Sequence, residues 1–129
     1  MIRTSATVAM LIFVALPTIG LSQVPQGRVF PSSELLRACT ISVRSYDSGS
    51  RAGSTSEIGD THWCLGYLQG ALDTMLPHPQ TYGICFPPGI STGQTARMIV
   101  KHLQERPERL HHPAIVELRT MLSRVFPCT

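Results

Sequence analysis

Charge is scarce in this 129-residue chain: Asp, Glu, Lys and Arg make up 15% of it, against 43% hydrophobic residues. That balance excludes an intrinsically disordered chain, which needs high charge and low hydropathy. The eleven Lys and Arg are scattered, so the basic stripe that tracks nucleic-acid phosphates is missing. No Cys-x-x-Cys pair occurs, which removes zinc-knuckle and thioredoxin-type readings. No segment alternates apolar and polar residues as a half-buried strand does. No apolar run reaches the roughly 20 residues that a membrane-spanning helix needs. The length allows one small domain, and ten Pro with ten Gly imply short elements.

What the chain does have begins with an export address. Met1 and Arg3 give a positive start, Val8 to Leu16 is an unbroken apolar run, and Pro17 ends it. Gly20-Leu21-Ser22 places small residues where a signal peptidase cuts. The sequence therefore predicts a signal peptide over 1–22, a polar lead over 23–31 and a helical domain over 32–129. No Cys follows the apolar run before Cys39, so a lipid-acceptor start is not expected, nor any membrane association after cleavage.

The exported remainder reads as all-α, a small bundle of about four main helices. The first is expected over Ser33–Val43, capped by Ser32 or Ser33. Ser45 to Gly59 is so rich in Ser and Gly that it predicts a surface loop. The second helix, capped by Asp60 or Thr61, runs to about Leu76. Its stripes Leu65-Leu68-Leu72-Leu76 and Cys64-Tyr67-Ala71-Met75 cover much of the circumference, which predicts a central helix. Gly66 and Gly70, one turn apart, predict a neighbouring backbone packed very close. Thr81 to Ile90 is a connector. Ser91 and Gln94 form a capping box that opens the third helix, which Pro107 stops. In the fourth, after Pro113, Ile115, Leu118, Leu122 and Val125 are expected inside, flanked by Val116 and Met121.

Cys39, Cys64, Cys85 and Cys128 form an even set in a small exported domain, so two disulfides are expected. Four cysteines allow three pairings. If the first two helices are antiparallel, Cys39 meets Cys64, and if the last two are, Cys85 meets Cys128. His62 lies close to Cys64, but the even count argues for pairing over a nucleophile.

Cys64-Leu65-Gly66-Tyr67-Leu68-Gln69-Gly70-Ala71-Leu72-Asp73, Ile84-Cys85-Phe86-Pro87-Pro88-Gly89-Ile90 with Gln94, and Val125-Phe126-Pro127-Cys128 together resemble the Rap/Tai immunity-protein family of bacterial type VI secretion. Lys101-His102-Leu103, Pro107, Leu110-His111 and Pro113-Ala114 extend the likeness over Leu35 to Cys128. The Ser45–Gly59 link is longer than the family's usual one. The resemblance implies a periplasmic helical protein that binds and blocks a secreted cell-wall amidase toxin. A homodimer, and a family member without a toxin partner, stay open beside that reading.

No catalytic set, cofactor site or metal site is expected. His102, His111 and His112 lack a carboxylate at helical spacing except Glu108, which favours helix-end polar contacts over an ion. For partner binding, Pro77 to Tyr82 is a proline-stiffened loop anchored by Cys85, with His78 and Tyr82 as contacts. Arg97 and Lys101 form a second candidate face, suited to an acidic enzyme surface. A small acid-activated periplasmic chaperone is the alternative from another class.

Overall fold

A computed structural model describes residues 29–49 and 53–129. The predicted signal peptide and residues 23–28 of the lead lie outside them. The helices are α1 (Ser32–Asp47), α2 (Thr55–Met75), α3 (Pro79–Tyr82), α4 (Thr92–Gln104) and α5 (Ala114–Val125), with a 3-10 turn at Pro107–Arg109. Among the described residues there is no strand, only isolated bridges pairing Pro31 with Pro113 and Ile84 with Pro127. The expected all-α class with four main helices holds, with the one-turn α3 added.

The core follows helical spacing. Leu35, Ala38 and Cys39 of α1 meet Cys64, Leu68, Leu72 and Met75 of α2 and Ala96, Ile99 and Leu103 of α4. Leu118, Met121 and Leu122 of α5 close it from the other side. α1 packs against α2, α4 and α5, and α4 packs against α2 and α5 as well. Ser91 and Gln94 make the expected capping box at the start of α4, with Gln94 N donating to Ser91 Oγ at 3.2 Å and Ser91 N to Gln94 Oε1 at 3.1 Å.

Both disulfides form as expected, Cys39–Cys64 and Cys85–Cys128. The first joins the middles of α1 and α2 rather than their ends. Cys39 and Cys64 are fully buried, whereas Cys85 is exposed and Cys128 half-buried.

Several expectations are corrected. The Ser45–Gly59 loop shrinks, because α1 continues to Asp47 and α2 begins at Thr55. The reason is a capping box almost two turns before the expected cap: Ser54 N donates to Glu57 Oε2 at 2.9 Å and Glu57 N to Ser54 Oγ at 3.3 Å. Asp60, freed from capping, pairs with Arg37 of α1. At the start of α1 the capping position falls on Pro31, and the Ser32 hydroxyl instead donates to the His112 carbonyl at 3.0 Å.

Gly66 and Gly70 are exposed, and among the described residues no neighbouring element lies within 4 Å of where a Cβ would stand on either. No described backbone packs against them. The apolar stripes of α2 reach less far round the helix than the sequence suggests, and Leu76 is also exposed. On α5 the buried face is Ala114, Glu117, Leu118, Met121 and Leu122, while Ile115, Val116 and Val125 face outward. Glu117 takes an inner position because its charge is fully partnered there, as described below.

Since no contact explains the two glycines, Gly66→Ala and Gly70→Ala should each stabilise the fold by about 0.5–1 kcal/mol through helix propensity. The readout is a higher urea midpoint at unchanged m-value, and a lowered midpoint would show that the face is covered. Mild reduction of the native protein followed by alkylation should label Cys85 and Cys128 before Cys39 and Cys64, because access controls exchange. Simultaneous labelling of all four would reject that order.

Candidate partner-binding surface

The segment between α2 and α4 begins with Pro77, which cannot continue α2. His78 precedes α3, Pro79 opens it and Gly83 closes it at φ 65°, a left-handed conformation that glycine takes without strain. The Pro79 carbonyl accepts from Ile84 N at 3.1 Å, and the Cys128 sulfur lies 3.8 Å from that same oxygen. Cys85 N donates to the Phe126 carbonyl at 2.9 Å. The segment is therefore a rigid turn held against the chain end by backbone bonds and by the Cys85–Cys128 bridge.

His78 is exposed at its outer edge. Tyr82 is half-buried against the core, with the Arg119 guanidinium 5.6 Å from its ring centroid. That distance is within reach of a cation–π contact. The two residues thus share one turn, His78 free to meet a partner and Tyr82 presenting only part of its ring.

Arg97 and Lys101 both project from α4, one turn apart, but they do different things. Arg97 crosses to Asp47 at the end of α1, with nitrogen and oxygen 2.6 Å apart. Lys101 is 79% exposed and only 4.0 Å from Glu105. Pairs this open contribute about 0–1 kcal/mol.

Arg119 is aimed at Tyr82 by α5, and α5 is set in place by a residue that the sequence reading missed. Glu117 is fully buried. Its carboxylate accepts from Arg109 Nε at 2.9 Å and from the Arg109 terminal nitrogen at 2.7 Å. His102 Nε2 stands 3.2 Å from one carboxylate oxygen and His112 Nδ1 3.0 Å from the other. A carboxylate only accepts, so each of those ring nitrogens carries a proton. Arg106 donates to the remaining nitrogen of His102 at 3.1 Å, which fixes that ring as neutral. His102 and His112 therefore make polar contacts of the kind the sequence suggests, and their shared partner, which the sequence reading did not name, is Glu117. Among the described residues no group of three or more His, Cys, Asp or Glu side chains is disposed to hold a metal. A signal for Glu117 was present: it stands three residues after Ala114 and four before Met121, on the buried line of α5.

Arg109 is the main reason that the Glu117 carboxyl is held well below the usual range, down to about 2. Burial pushes the other way but less strongly than that bond, and the bonds from His102 and His112 lower the carboxyl further. A group depressed in the folded state stabilises above its unfolded value, near 4.5, and loses that contribution as pH falls from there toward about 2. The full contribution is about 3 kcal/mol. Glu117→Gln should lower stability at neutral pH and flatten the acid limb. Urea midpoints taken at about pH 7, 5 and 2.5 test this, and an equal acid loss in both proteins would refute it.

Comparison with known proteins adds the family. No curated protein and no solved structure matches the chain. The model of a family described as Rap1a immunity proteins matches residues 32–128, which takes in all five helices and both disulfides. The chain belongs to the Rap1a immunity protein family.

Proposed function

We propose that this chain is a periplasmic immunity protein that blocks a secreted peptidoglycan amidase of a type VI secretion system by covering its active site. Family membership carries the general part, binding and neutralising a secreted effector. The finer part rests on the likeness noted in the sequence. Two disulfides suit an oxidising compartment, and residues 1–22 read as the export signal that would take the chain there. The domain that acts is 32–129.

Inhibition here is steric. Such a binder needs a small, stiff projection that enters a concave site without losing much freedom. The turn from Pro77 to Gly83 meets that need, because it is fixed at both ends and offers His78 and Tyr82 at its surface. No cofactor or metal takes part. The acid-activated chaperone has less support, since the family model that matches the chain is one of immunity proteins.

The gene beside this chain's should encode a secreted peptidoglycan amidase, and the test uses that enzyme. One protomer per enzyme should abolish peptidoglycan cleavage, with full effect in chelator and without prior incubation. Counting per protomer makes the result equally valid for a homodimer. Substoichiometric inactivation, or a cleaved toxin, would refute occlusion. His78→Ala combined with Tyr82→Ala should weaken inhibition about tenfold or more, the loss of one strong interface contact. Unchanged inhibition would remove the turn from the interface.

A further inference from the structure

A shallow groove of about 280 Å³ runs between α4 and α5. Met98, Met121 and Val125 give it an apolar lining, and Lys101, Arg106 and Arg124 give it three cations. Glu105 is its single carboxylate at the rim, and the ring of buried His102 also borders it. Its volume falls below the roughly 300–1,000 Å³ of small-ligand sites. It suits one anchoring side chain, and methionines adapt to whatever shape is inserted.

The charge around the groove is segregated from the rest of the fold. α2 carries Glu57, Asp60 and Asp73 and neither Lys nor Arg. α4 and α5 carry Arg97, Lys101, Arg119 and Arg124 against Glu117 alone, which is consumed by Arg109 and two histidines. Arg97 is taken by Asp47 and Arg119 lies over Tyr82. Lys101 and Arg124 remain: Lys101 is held only weakly by Glu105, and Arg124 has no ion pair among the described residues. The basic pair sits on α4 and α5, whereas the carboxylates of α2 sit on a helix that is not among the main packing partners of α5.

We infer that the α4–α5 groove is a docking surface for an acidic segment of the effector, with carboxylates at Lys101 and Arg124 and one apolar side chain on Met98, Met121 and Val125. The inference rests on the reading of the chain as an effector-binding protein. Arg124 lies about 140° around α5 from Arg119, so the groove is a second face, separate from the Pro77–Gly83 turn. A segregated charge of this kind orients the approach and raises the association rate more than it tightens the final complex.

The experiment measures association kinetics with the purified neighbouring amidase at low and high salt. For the unaltered protein the association rate should fall steeply with salt. Lys101→Glu with Arg124→Glu should associate at least tenfold more slowly at low salt and lose that salt dependence. Asp73→Lys, on the acidic helix, should change neither. Val125→Asp, at a position 47% exposed, should slow association independently by placing a like charge beside the acidic segment. Thermal melts confirm that each variant is folded. If the unaltered protein binds and both groove variants bind as fast, the groove is not the docking surface and the proposed function stands. If the unaltered protein does not bind, both readings fall.

Discussion

The Glu117 carboxylate is the constraint on which the α4–α5 half of the molecule turns. An ionised group with no exposure is tolerable only if every partner is in place, since removing one side of such a set costs about 3–5 kcal/mol. Its partners come from α4, from the turn at Pro107–Arg109 and from the residue just before Pro113. The same short stretch is fastened on its other side to the beginning of α1. Ser32 N and Ser33 N donate to the carbonyls of His112 and Leu110, and Ala114 N donates to Phe30. One buried charge thus sets the spacing between α4 and α5 and the seat of the first helix.

The disulfides divide the remaining work. Cys39–Cys64 lies within the core and holds α1 to α2 across the stretch where Ser and Gly dominate the sequence. Cys85–Cys128 lies near the surface and holds the connector to the segment after α5, beside the packed rings of Phe86 and Phe126. In the chain-entropy view, loops of these lengths contribute about 3–4 kcal/mol each. That is a large share for a domain whose core is small.

Much of this was legible in the sequence. The helical class and the Ser91–Gln94 box follow from spacing, and the pairing of the cysteines from the antiparallel order of the helices. Some failures come from reading composition where position decides, whereas the outward turn of Ile115 and Val125 overturns a reading of spacing itself. Ser45–Gly59 looks like loop by content, yet Ser54 and Glu57 stand three apart and start a helix. Gly66 and Gly70 suggested contact, but a missing side chain leaves no trace of whether a neighbour fills the space. Glu117 was passed over as charged, although its place on the Ala114–Met121 line puts it inside. The groove between α4 and α5 joins residues from two distant segments, which spacing within either helix cannot reveal.

The two bridges are consecutive along the chain rather than interleaved: the first ring is complete before Cys85 is reached. For a chain that enters an oxidising compartment N-terminus first, the order of emergence is then the order of correct pairing. Cys39 and Cys64 can find each other while no competing thiol is present, and Cys85 and Cys128 are left with only one another. Vectorial oxidation alone yields the native connectivity, with no shuffling step and no need for an isomerase.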